Sequence, residues 1–171
     1  CTASGQNSVA IGGDYAHGFQ CIAAGESSVA IIQGNAQGQF SAAIGWHANT
    51  GTGARSAFAI GESDFATGAY SNAFGAFNLA SGIGSTAMGY STTASGDYST
   101  AMGTNASTNG HTGSFILSDA VYLGTGNISQ NTANNQMMMN FTGGYIFWSS
   151  TGGTGVSLAA GGGSWSTLSD K

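Results

Sequence analysis

From Ser71 to Thr112 the chain reads SNAFGAFNLASGIG, STAMGYSTTASGDY and STAMGTNASTNGHT, three near-copies of a 14-residue unit with no gap between them. Each unit divides again, because Ala-x-Gly recurs every seven residues at Ala73/Gly75, Ala80/Gly82, Ala87/Gly89, Ala94/Gly96 and Ala101/Gly103. The middle residue alternates between large and apolar (Phe74, Met88, Met102) and small and polar (Ser81, Ser95). Two sevens therefore make one full turn with two kinds of edge, the signature of a coiled β-solenoid. A heptad coiled coil is excluded by the same letters. Glycine in every seventh helical position costs ~1 kcal/mol relative to Ala each time, and no charged flanking positions set a register. Short strands of three to five residues, each ended by a Gly able to take φ > 0 at a corner, fit without that cost.

Working outward, the half-unit is followed upstream through Ala3/Gly5, Ala10/Gly12, Ala16/Gly18, Ala23/Gly25, Ala36/Gly38, Ala43/Gly45, Ala59/Gly61 and Ala66/Gly68. About eight turns are expected, a stack roughly 35–40 Å long at the cross-strand spacing. Three irregularities mark the N-terminal half: an extra half-unit at Asp14–Gln20, Ile32 where Gly should follow Ala30, and a long turn at Thr50–Ala57. Insertions in solenoids map to the surface, so these should protrude. A stripe of Ile11, Ile31, Ile44, Ile60, Phe74, Met88 and Met102 either forms each coil's own core or needs a partner surface, since coils lined with Ala bury little apolar volume alone.

The composition bounds the function. Of 171 residues 30 are Gly, none is Pro and only 5% are charged, and two basic residues (Arg55, Lys171) against seven acidic ones leave a formal charge of −5. Neutralisation of nucleic-acid phosphates is excluded on that balance. No apolar run approaches the ~20 residues of a membrane span and no basic-then-apolar leader opens the chain, which begins without Met and is expected to be a mature product or fragment. Cys1 and Cys21 are too few for a structural zinc site. They stand at the same place in CTASGQNSVAIG and CIAAGESSVAI, on stacked turns ~4.8 Å apart, a spacing compatible with a disulfide.

NSVAIG at 7–12, SSVAI at 27–31, SAAIG at 41–45, AFAIG at 57–61, then SNAFG, STAMG and STAMG, each answered by ASG or ATG half a turn later, resemble the head repeats of trimeric autotransporter adhesins. The resemblance covers about two-thirds of the chain. It implies a YadA-like left-handed parallel β-roll and a homotrimer of flattened coils, displayed outside the cell.

After Gly110 the period stops. Phe115/Leu117, Val121/Leu123, Met137/Met139/Phe141, Tyr145/Phe147 and Val156/Leu158 alternate in strand fashion, with turn signals at Gly143-Gly144 and Gly152-Gly153. The expected organisation is a repeat roll over 1–112 and a small β-rich capping or stem module over 113–171. Met137–Met139 reads as core or interface, with a soft binding patch as the alternative. GVSLAAGGGSWSTLSDK resembles the segment before the C-terminal intramolecular chaperone of phage tailspikes and tail fibres, which implies self-cleavage at Ser169-Asp170 by a domain beyond Lys171.

Catalysis needs a base, a nucleophile and a pocket, and the three His (His17, His47, His111) lie scattered through the repeat. No cofactor or metal site is expected; Glu62 and Asp64 read as a solvated turn with too few oxygens for calcium. The broken turns carry the candidate ligand contacts: Tyr15, His17, Phe19, Trp46, His47, Glu62, Asp64 and Phe65. Aromatic side chains on a rigid outer face suit sugar or protein contacts. These features define a non-enzymatic trimeric fibre that is both stiff spacer and binding surface for a host-surface or matrix protein or a glycan. The alternatives are a phage tail fibre that binds a host receptor and, from the ladder Ser41, Ser71, Ser85 and Ser99, an ice- or crystal-binding protein.

Overall fold

The computed structural model describes residues 1–12, 20–119, 128–149 and 154–168, and among them the chain is all-β without a helix. Two parallel sheets of nine strands each form a β-solenoid. A short-strand sheet runs through Thr2–Ala3, Ile22–Ala23, Asn35–Ala36, Asn49–Thr50, Phe65–Ala66, Leu79–Ala80, Thr93–Ala94, Ala106–Ser107 and Ser129–Gln130. A long-strand sheet runs through Val9–Ile11, Val29–Ile31, Ala42–Ile44, Phe58–Glu62, Asn72–Ala76, Thr86–Tyr90, Thr100–Thr104, Phe115–Asp119 and Met137–Asn140. Each strand pairs with the one a full turn later, so that like residues stack: Ala73 on Ala87 on Ala101, and Phe74 on Met88 on Met102.

The core is one side chain thick. Ala30, Ala43, Ala59, Ala73, Ala87 and Ala101 from one sheet meet Ala23, Ala36, Ala66, Ala80 and Ala94 from the other, all without accessible surface. A buried methyl contributes only about 0.8 kcal/mol, so the backbone ladder between turns carries much of the cohesion. Glycine is required because consecutive turns stack so closely. A Cβ at Gly89 would lie 2.0 Å from the Gly103 carbonyl oxygen, and φ there is +126°. At Gly82 a Cβ would lie 2.1 Å from the Gly96 carbonyl oxygen, although φ is not positive. In one half-unit Gly therefore supplies both conformation and room, and in the other room alone.

The left-handed corners fall elsewhere, mostly on residues other than Gly. Phe40, Ser56, Tyr70, Gly84 and Tyr98 form one corner column, and Gln33, His47, Ser63, Phe77, Ser91 and Asn105 the other. Each corner is fixed from the preceding turn, as where the Tyr70 amide donates to the Arg55 carbonyl at 2.7 Å and the Ser63 amide to the Trp46 carbonyl at 2.7 Å. A conformation that disfavours most L-residues persists because the ladder over-determines it.

The coil runs past residue 112, because Phe115–Asp119 pairs with Thr100–Thr104, and Met137–Asn140 pairs with Phe115–Asp119. Ile116 takes the inward place of Ala, fully buried, and Ser118 that of Gly. The β-rich module that remains is a three-stranded antiparallel sheet of Gly144–Trp148, Gly155–Ala159 and Ser166–Leu168. The serine ladder faces inward: Ser41, Ser71, Ser85 and Ser99 are buried, and the hydroxyls of Ser41, Ser71 and Ser99 donate to the carbonyls of Gly38, Gly68 and Gly96 at 2.6–2.7 Å. A ladder so placed cannot meet ice, and the observation behind that alternative falls away. Finally, the long turn does protrude, with Thr52 and Gly53 exposed, and Arg55 lies over the Phe40 ring at 5.7 Å.

Candidate functional site

Side chains alternate across a strand, so turning Ala inward turns its neighbours outward. The apolar stripe is thus not the coil's own core. Ile11 is 56% exposed and Met88 38%, while Ile31, Ile44, Phe74 and Met102 are half-buried. A second outward column, including Val9, Val29, Phe58, Phe115 and Met137, runs beside it in register. The outer face of the long-strand sheet is therefore a ladder of apolar side chains along all nine strands. Met138 packs against the core, whereas Met137 and Met139 point outward and, with Tyr145, Phe147, Leu158 and Trp165, line an apolar cavity of about 460 Å³ at the end of that ladder. The Tyr145 hydroxyl ties the small sheet to the coil by donating to the Met139 carbonyl.

The opposite, short-strand face is polar where the repeat is broken. An open cavity of about 300 Å³ is lined by Gln20, Gln33, Asn35, His47, Ala48, Asn49 and Phe65. Asn35, Asn49 and Phe65 stack in register on three successive turns, and Gln33 and His47 hold corner positions beside them. Gln33 Oε1 and Asn35 Oδ1 are buried without a hydrogen-bond partner, and each such group costs about 1–3 kcal/mol in the folded chain. Of the residues singled out from sequence, the cavity brings together His47 and Phe65. Trp46 lies beside His47 with ring centroids 5.0 Å apart and planes tilted by 48°, and it is exposed. Gln20, Gln33, Asn35 and Asn49 were not anticipated, although aligning the turns would have revealed amides where Ile22, Leu79 and Thr93 stand elsewhere.

Asp64 is a correction. It lies inside the coil with no accessible surface, not on a solvated turn. Its Oδ1 accepts from the Asn78 amide and side-chain Nδ2, both at 2.9 Å, while the Asn78 Oδ1 accepts from the Thr92 amide and hydroxyl at 3.0 and 2.7 Å. Burial pushes the Asp64 carboxyl above its ordinary range, against the opposing pull of the Asn78 bonds. Glu62 stays exposed at the end of its strand, on the outer surface. Cys1 and Cys21 sit on adjacent turns as free thiols, Cys1 exposed and donating to the Gly12 carbonyl at 2.7 Å, Cys21 buried and donating to the Ala30 carbonyl at 3.1 Å. Tyr15, His17, Phe19, Ser169 and Asp170 lie outside the described residues.

Among the described residues no three His, Cys, Asp or Glu side chains gather as a metal site, and no helix is long and apolar enough to cross a membrane. What is present is a two-faced solenoid with an apolar ladder on one side and an amide-lined cavity on the other. The YadA head domain repeat matches the chain in two copies, at residues 2–14 and 80–106. Those two stretches of the coil are therefore similar to that head repeat. No curated protein matches the chain.

Proposed function

We propose that this chain is part of a non-enzymatic, extracellular adhesive fibre in which three copies pack side by side through the long-strand faces. The observation that carries the reading is the outward ladder of Ile, Phe and Met along nine strands, which among the described residues the small antiparallel sheet meets at its Met137–Met139 end. Exposed apolar surface of that continuity marks an interaction site, and a closed threefold arrangement gives every copy the same cover. The adhesin head repeats support the same assembly. Regular turns act as spacer. The broken turns between Ile22 and Phe65 present the specific contacts to a host-surface or matrix ligand, because there aromatic, amide and imidazole groups stand out from a self-similar background. Static light scattering tests the assembly: a mass three times that of the chain is expected at micromolar concentration, and a monomer would sink the reading.

A further inference from the structure

Resting on that adhesive reading, we infer that the cavity formed by Gln33, Asn35, His47, Asn49 and Phe65 binds a neutral sugar unit of a surface glycan. The chemistry of its lining selects the ligand class. No carboxylate, Lys or Arg lines it, so apart from the His47 imidazole it offers no charged group to pair with an ion. The polar groups are side-chain amides, each an acceptor and a donor on one flat end, which is what two neighbouring sugar hydroxyls require. Two of their oxygens, on Gln33 and Asn35, are buried without a partner within the protein, and sugar hydroxyls would satisfy them once the amides turn toward the cavity. Phe65 stacks next in the ladder after Asn49 and is exposed, giving an apolar plane for the C–H face of a pyranose ring. The size, about 300 Å³, is at the small end of ligand sites.

An extended peptide fits less well. Strand addition needs an open sheet edge, but Asn35–Ala36 and Asn49–Thr50 lie in the interior of the sheet, with each flanked by paired strands on both sides. Backbone groups there are already used. The amides are also local: the same ladder position holds Thr2 and Ile22 before them and Phe65, Leu79 and Thr93 after, so binding is confined to the two amide turns and the Phe65 turn beside them.

The ladder itself supplies gentle substitutions. Asn35→Thr, Asn49→Thr and Phe65→Leu each install a residue that another turn already carries at that place. Galactose, glucose, N-acetylglucosamine and their β-linked disaccharides are titrated into the whole chain by calorimetry, with saturation-transfer NMR to locate the bound ring. At least one sugar should bind saturably, and each of the three variants should weaken it tenfold or more with unchanged circular dichroism. Asn72→Thr, on the other sheet, should bind as the parent does. Failure of every sugar to saturate, equal binding by all variants, or loss of a matrix peptide's binding in the variants while no sugar binds would each overturn the inference. Adherence to host cells or matrix, measured alongside, separates the two levels: adherence without sugar binding refutes the cavity alone, and absence of both refutes the adhesive reading as well.

Discussion

Asp64 shows what the interior of a coil one alanine thick demands of a single residue. Asn78, one turn later in the same ladder, uses its Nδ2 to donate to the carbonyls of Phe74 and Gly89 at 3.1 and 2.9 Å. The repeat puts Ile60 and Gly75 in the corresponding places around residue 64, where the Asp64 Oδ2 finds no donor. An oxygen occupies the place of an N–H, and a proton on Oδ2 would restore the missing donor. Burial outweighs the bonds that Asn78 and the Gly75 backbone make to the carboxyl, which in the folded chain titrates above its unfolded value of 3.8. Stability from the neutral form is fully present below the unfolded value and is lost as pH rises through the folded one. Asp64→Asn should copy the Asn78 pattern and raise stability at pH 7 by about 1–3 kcal/mol, with little gain at pH 3. Thermal melts at the two pH values decide it, and a variant that melts lower than the parent at pH 7 would refute the donor argument.

At the scale of the strand and turn, stacking depends on fourteen residues bringing Ala onto Ala and Gly onto Gly. Removing Ser85–Tyr98 joins Asn72–Ala76 to Thr100–Thr104 with Ala73 on Ala101 and Phe74 on Met102, the pairing each now makes with the turn between them. That deletion should give a shorter coil whose melting temperature falls by only a few degrees and whose ligand binding persists. Removing seven residues, Thr92–Tyr98, would set short strands against long ones, and the product should aggregate. Size-exclusion chromatography and circular dichroism distinguish these outcomes; equal tolerance of both deletions would show that the register is not what holds the turns. The repeat made this much legible from sequence, down to the apolar stripe and the protruding turn at Thr52, while the side to which the stripe points stayed open between core and partner surface. The turns after Thr112 were hidden because Ile116 and Ser118 fill the places of Ala and Gly, so pairing survived where the letters changed. The amide cavity was hidden because it is assembled across turns, from residues that are unremarkable within any one of them. Asp64 misled because a charged letter beside a corner reads as solvated until its ladder mates Asn78 and Thr92 are aligned with it.

For the molecule as a whole, the outward stripe separates assembly from folding. Met88→Asp with Met102→Asp places charge on the apolar face without touching the alanine core, so the proposed trimer should dissociate into folded monomers, with light scattering reporting one-third of the parent mass and the β-sheet spectrum retained. Loss of the spectrum would mean that the coil cannot stand without its neighbours. The bonds of both sheets run along the long axis, from each turn to the next. A cell tethered through such a rod and dragged by flowing liquid would load those bonds end-on, and the rod would yield from one end, a turn at a time. Each turn of 14 residues released would lengthen the tether by about 45 Å, from ~3.3–3.6 Å per extended residue less the ~4.8 Å it occupied in the stack. Such a tether would pay out in steps that are even through the regular turns, and would let the load fall after each one, so that a bond at the far tip would outlast a gust that would break it on an inextensible rod.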